Sequence, residues 1–256
     1  VSTVLLKIII VAGTLLYYAS LALHFVKKRK AARKVSNIML CAAWLLNLAV
    51  VINNWAVNGY VPFVTIFQVL TFIAMLFGPI LAYMWFVRDA EWMKPFFITA
   101  AAILMTGLCF MPAKAESTFR PALQSIWFLP HVLLYTIAYT LAFVAFLVAV
   151  RSMLTKDPEK KRILDNGIYG TACIAFPFMT LALCIGAIWA NEIWGAFWSW
   201  DNKENWALVS WLTYMLYLHF RRNKKLSKFS NLLIIIGFVF VVVTLFFSGG
   251  GQHSYL

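Results

Sequence analysis

The sequence predicts an all-α protein, a polytopic transmembrane helical bundle of about eight spans, and three observations predict it. Hydrophobic residues make up 63% of the 256 and charged residues only 12%, a balance that no soluble domain buries. The apolar residues come in runs of bilayer-crossing length. The connections between runs alternate between basic and nearly uncharged, as in a chain that crosses a membrane back and forth.

The first run, 4–26, reads as a span rather than a signal peptide, because it has no small-residue cleavage site and further spans follow closely. The basic run K-K-R-K-A-A-R-K ends it, and a second span follows at 37–57. The third, 65–87, contains Gly78-Pro79, a helix break, and leads through Arg88 and Lys94 to a fourth at 95–111. The fifth, 131–150, opens after Pro130, and the sixth, 168–190, contains Pro177. The seventh, 206–220, is short, so its helix is expected to begin earlier, near Asn202. The eighth covers 230–248.

The four connections 27–34, 88–94, 151–162 and 221–228 hold 18 of the 22 Lys and Arg. Lys7, Lys114, Arg120 and Lys203 are the others. By the positive-inside rule the four basic connections are cytoplasmic and both termini extracytoplasmic. This placement accounts for the net charge of +13 and excludes a nucleic-acid reading. No linker, low-complexity tract or repeat interrupts the chain, so 1–256 reads as a single membrane domain. Cys41, Cys109, Cys173 and Cys184 lie within apolar segments with no C-x-x-C or C-x-x-C-H spacing, which excludes a dithiol carrier and a c-type cytochrome.

The external loop at about 191–206 is unlike ordinary membrane composition. It carries W-G-A-F-W-S-W-D-N-K-E-N-W, and five of the 11 Trp fall between Trp194 and Trp211. An aromatic belt scatters Trp among many helix ends. A concentrated group instead makes a platform for a planar apolar ligand, each indole giving a flat face and one N–H donor.

Four histidines stand at two depths. His131 opens the fifth span and His253 follows the eighth, at the level of the Trp loop. His24 and His219 precede basic clusters at the opposite level. Two imidazoles at one level beside an aromatic platform are what bis-His ligation of haem iron requires. His219 is a candidate transmembrane ligand; for His24 a snorkelling interfacial role explains its position nearly as well. Zinc or copper would favour a compact ligand cluster, and aromatic bulk around two histidines suits a macrocycle better. Lys203, Arg120 and the indole N–H groups are candidate donors to haem propionates. Asp201 and Glu204 either cap the seventh helix or orient a ligand histidine.

The stretch W-A-N-E-I-W-G-A-F-W-S-W-D-N-K-E-N-W-A-L-V-S-W-L-T-Y-M-L-Y-L-H resembles the tryptophan-rich WWD signature of haem-handling proteins in cytochrome c maturation. Its D-x-K-E-x-W continuation is similar to the CcsA/ResC type of the system II cytochrome c synthetase. P-A-L-Q-S-I-W-F-L-P-H and the final H-S-Y resemble the segments bearing that family's two external histidines, and Y-L-H its transmembrane histidine. The likeness covers about half the chain, from Pro121 on; Asn202 stands where the family has Pro after the motif Asp.

The resemblance implies a haem export and presentation subunit of an integral membrane synthetase, in a bacterial inner membrane with the WWD loop outside. Haem b would be its transported substrate, reaching His219 from the cytoplasmic side. His131 and His253 would then hold the iron, with Trp194, Gly195, Trp198, Trp200, Asp201, Lys203 and Trp206 shaping the pocket. Apocytochromes bearing C-x-x-C-H, a CcsB/ResB-type membrane partner and thiol-reducing proteins are the implied partners, with membrane lipid around. Thioether formation would make it part of a haem lyase that works by positioning, with no acid or base assigned. The alternative is a system I-type delivery protein that loads a haem chaperone without forming thioethers.

Overall fold

A computed structural model of the chain describes residues 3–26, 30–113 and 121–247. Eight helices make up nearly all of it: α1 (Thr3–His24), α2 (Lys30–Asn58), α3 (Ile66–Phe86), α4 (Lys94–Phe110), α5 (Phe128–Met153), α6 (Pro158–Trp194), α7 (Asn202–Arg222) and α8 (Ser230–Phe246). No strand occurs among the described residues. Helices are what a chain must form in hydrocarbon, where each backbone N–H and C=O has to be satisfied within its own segment. Seven segments are long and apolar enough to cross a membrane. The eighth helix, α7, starts at Asn202 as expected and carries more polar residues than the rest.

Two helices outrun the expected spans. α2 begins at Lys30 and α6 at Pro158, so part of each basic connection is helical. Lys, Arg and Glu are good helix formers once the chain leaves the hydrocarbon. At α6, Asp157 supplies the N-cap, its Oδ1 accepting from the amides of Glu159 (3.0 Å) and Lys160 (3.3 Å), with Pro158 in the first turn. Hydrogen bonding from Lys160 also holds the Asp157 carboxyl below the usual carboxylate range.

The helices group into two compact units, Val1–Thr118 and Phe119–Leu256. In each, four helices form a ring in which every helix packs on two others. In the second unit α5 packs on α6 and α8, and α7 completes the ring. The α5 face buries Ala138, Ala142, Ala145 and Ala149, and α6 buries Ala172, Ala175 and Ala182. Such small-residue stripes let helix backbones approach where no hydrophobic force drives association. At the basic end of this unit Asp165 of α6 accepts from Ser152 of α5 (2.5 Å) and Asn231 of α8 (2.8 Å), tying three helices together.

In the first unit, Ser20 and Ser36 exchange hydrogen bonds between α1 and α2. The Lys94 ammonium is buried, donates to Asn37 Oδ1 and lies 5.3 Å from the Trp85 ring centroid. Pro79 inside α3 lacks the N–H that would pair the Met75 carbonyl. Trp44 of α2 replaces it, its indole N–H donating to Met75 O at 2.8 Å. The indole reaches this carbonyl across Gly78, where a Cβ would stand 2.3 Å from Trp44 Nε1. Trp44→Phe keeps the ring and removes the donor, leaving a carbonyl unpaired in the membrane. The expected loss is about 1–3 kcal/mol, read as a lower denaturation midpoint in detergent.

Candidate functional site

The tryptophan-bearing end of the second unit brings together the start of α5, the end of α6, the 195–201 loop and the start of α7. α5 is entered through a tight turn in which Phe128 N donates to Ser125 O and His131 N to Trp127 O. Pro130 fits here because the first-turn amides have no helical acceptor. His131 follows, and its Nδ1 lies 2.9 Å from the carbonyl oxygen of Ala182 on α6. A carbonyl only accepts, so Nδ1 carries a proton, and in the neutral tautomer the lone pair is then at Nε2. A metal-binding imidazole is commonly oriented by this bond.

The imidazole is boxed in. Trp189 lies against its face (centroids 5.6 Å, interplanar 29°) and Tyr135 meets it edge-on at 5.1 Å. On the remaining α6 side Gly186 makes the room, since a Cβ there would stand 2.5 Å from both Cε1 and Nδ1 of His131. Trp189 is 2% exposed and donates its indole N–H to Ala122 O at 2.9 Å, while Trp194 packs edge-on against it at 5.0 Å. The sequence reading did not single out Trp189, Gly186 or Tyr135. Trp189 lies one helical turn and a residue before Trp194 and was the one with a legible signal.

The loop itself is shaped by caps. Gly195 ends α6 with φ 75°, and its amide donates to Asn191 O. Trp200 takes the left-handed conformation (φ 61°), which costs a non-glycine residue about 1–3 kcal/mol and persists only where surroundings enforce it. Here Asn205 Nδ2 donates to Trp200 O at 2.8 Å. Asp201 caps α7, its Oδ1 accepting from Glu204 N at 2.8 Å. Glu204 reaches back, Oε2 accepting from Ser199 N (2.8 Å), Ser199 Oγ (3.2 Å) and Asp201 N (3.3 Å). This reciprocal capping box is the first of the two roles considered for the carboxylates.

The five clustered tryptophans therefore divide. Trp194 joins the His131 group through Trp189. Trp198 and Trp200 pair edge-on at 5.9 Å on the loop, Trp200 being 69% exposed. The Trp198 indole nitrogen is buried with no hydrogen-bond partner among the described residues, a donor awaiting an oxygen. Trp206 faces Phe240 of α8, and Trp211 stacks on Phe176 and donates to Thr180 Oγ1 at 2.8 Å. Lys203 is half-buried in the first turn of α7, ahead of the apolar stretch that starts at Trp206. Burial lowers its pKa to about 8, with Asp201 opposing the shift.

The other histidines lie elsewhere. His219 is 18 residues along α7 from Asp201, about 27 Å at 1.5 Å per residue, and is exposed. Its Nδ1 lies 2.8 Å from Met215 O, which again leaves Nε2 with the lone pair. His24, in the first unit, has a buried Nδ1 without a partner among the described residues and packs edge-on against Phe25. His253, Lys114 and Arg120 lie outside the described residues. Among the described residues no three His, Cys, Asp or Glu gather to hold a bare metal ion.

A family model described as cytochrome C assembly protein matches residues 5–253. Cytochrome c biogenesis protein CcsA of Chlamydomonas reinhardtii is 31% identical over 242 residues, covering 86% of this chain and 68% of that protein. The CcsA of Prochlorococcus marinus is 28% identical, covering 96% and 93%, and that of Trieres chinensis 27%, covering 96% and 95%. Among solved structures, cytochrome c heme lyase CcmF superposes with a TM-score of 0.70 at 17% identity. That match takes in 98% of this chain but 48% of CcmF, so the chain spans about half the length of that protein.

Proposed function

Since the chain belongs to the cytochrome c assembly protein family, we propose that it holds haem for attachment to apocytochromes c, with His131 Nε2 as one axial ligand at the tryptophan end. The observation that carries this reading is the 2.9 Å bond from His131 Nδ1–H to the Ala182 carbonyl, made beside Trp189. It fixes the tautomer, leaves Nε2 as the basic nitrogen and holds the ring rigid, which is what an axial ligand needs. The residues fit the group in a second respect. The Trp198 indole N–H and the Lys203 ammonium are donors on the same loop and first turn, suited to carboxylates of a haem edge.

His253 is the proposed second ligand of this site, and His219 a ligand at the opposite level, where haem would be received from the cytoplasmic side. The family's other transmembrane ligand would come from a CcsB/ResB-type protein. The loop faces the extracytoplasmic side in this reading. There an apocytochrome C-x-x-C-H histidine displaces one axial imidazole and its two thiols add across the haem vinyl groups. The protein's part is to position the reactants, which alone accounts for a large share of a bimolecular barrier.

The test is optical. Protein purified with haem is expected to show a Soret band and, with dithionite, sharp α and β bands. His131→Ala should lose most of them, and 10 mM-range imidazole should restore them by filling the vacated position. Haem retained unchanged in His131→Ala would overturn the assignment. Co-expression with a CcsB/ResB-type protein and an apocytochrome tests attachment: haem staining that survives denaturation supports thioether formation, and its absence favours delivery to a chaperone.

A further inference from the structure

The first unit encloses a cavity of about 430 Å³ that the haem reading does not use. Its walls come from all four helices. Trp44, Phe77, Trp85, Phe86 and Phe97 make them aromatic, and Trp85 and Phe86 stack flat on each other (interplanar 4°). Of the lining residues, Cys41 of α2 and Phe86 of α3 are exposed on the outside, so we take the mouth to lie between these two helices. The wall holds no histidine, so it offers no imidazole to haem iron.

Two polar groups interrupt this apolar lining. Tyr17 of α1 is 2% exposed and lines the cavity, where its hydroxyl is a donor. Asn37 of α2 has its oxygen engaged by Lys94, which leaves its amide nitrogen as a donor. A hydroxyl and an amide N–H set in an otherwise apolar aromatic wall favour an occupant with accepting oxygens. Depth narrows the choice. Tyr17 lies seven residues inside His24, the end of α1, or about 10 Å into a hydrocarbon core about 30 Å thick. Glycerolipid ester carbonyls sit at the interface and do not reach there. A neutral molecule dissolved wholly in the bilayer does.

We propose that this cavity binds a quinone-class molecule, a planar ring with carbonyl oxygens on an apolar tail. The ring lies among the aromatic walls, one carbonyl accepts from the Tyr17 hydroxyl, and the Asn37 amide is the second donor. The tail leaves through the mouth past Cys41. This site is independent of the His131 assignment.

Cys41 is the natural reporter. With Cys109→Ser, Cys173→Ser and Cys184→Ser it is the sole thiol, and its alkylation by N-ethylmaleimide is timed in nanodiscs with added decylubiquinone. At ten times the half-protecting concentration the rate is expected to fall about tenfold. Tyr17→Phe should raise that concentration about tenfold, the value of one hydrogen bond. Ala82→Leu, which fills the cavity from α3, should abolish protection and gives a second variant if Tyr17→Phe does not fold. No protection, equal protection in Tyr17→Phe, or equal protection by methyl palmitate would each overturn the proposal, the last by assigning the cavity to an acyl chain.

Discussion

Gly186→Ala is expected to remove the His131-dependent haem spectrum while leaving the helical bundle folded. In wild type the imidazole occupies the space a Cβ would take, 2.5 Å from Nδ1 and Cε1. The Cβ would be fixed on the α6 backbone, and α5 and α6 meet through buried alanines that leave their backbones little room to part, so the side that moves is the imidazole. The ring must therefore swing away. That breaks the bond to Ala182 O and the stacking on Trp189, and frees Nδ1 and Nε2 to exchange the proton. The helix itself gains, because Ala is favoured over Gly in a helix interior by about 1 kcal/mol. That gain offsets part of the lost hydrogen bond, so a spectrum lost with an intact helical signal reports positioning and not misfolding. Added imidazole should restore the bands, since the aromatic pocket survives. Gly107→Ala on α4 is the control, because a Cβ there meets nothing within 4 Å, and it should leave the spectrum unchanged. A wild-type spectrum in Gly186→Ala would mean that the His131 geometry does not matter to the iron.

Why Gly186 escaped the sequence reading is a matter of physics. A glycine in a membrane helix is ordinary, and nothing in C-I-G-A-I-W says that an imidazole from another helix fills its missing side chain. The acceptor it exposes is a backbone carbonyl, which has no sequence signature at all. The same holds for Trp44, whose indole completes the Pro79 gap in α3 from a different helix. Long-range pairings of this kind depend on packing register, whereas the eight helices depend on local hydropathy and were all legible. Helix ends beyond the hydrocarbon were not, because Lys30 and the Lys160–Arg162 run look like loop charge when they are the first turns of α2 and α6. The Trp group was legible as a group but not in its division. Trp206 and Trp211 face α8 and α6 because of their places along α7, which counting along the chain could not separate from the loop tryptophans. Capping, by contrast, is local chemistry, and D-N-K-E announced it.

That box supports the second large effect. Glu204→Ala should unfold the 195–201 loop without unfolding the bundle. One carboxylate oxygen takes three donors, two of them backbone amides of Ser199 and Asp201, and Glu204 is 8% exposed. Bonds to a carboxylate are stronger than neutral ones, and the amides left behind have no other acceptor in the box, so the expected cost is about 2–4 kcal/mol. The left-handed Trp200 makes the loop vulnerable, because its strained backbone relaxes as soon as the flanking bonds go. Glu204→Gln offers the same oxygen and should recover most of the loss, as should Asp201→Asn at the cap, since Asn caps as well as Asp. If the carboxylates instead acted by their charge on bound haem, both amide variants would shift the reduced spectrum or its midpoint potential as strongly as the alanine variants do. Limited proteolysis at Phe197–Trp200 reads the loop, and the α-band reads the haem. Cleavage in Glu204→Ala but not in Glu204→Gln, with intact helical signal in both, assigns the carboxylate to holding the tryptophans in place.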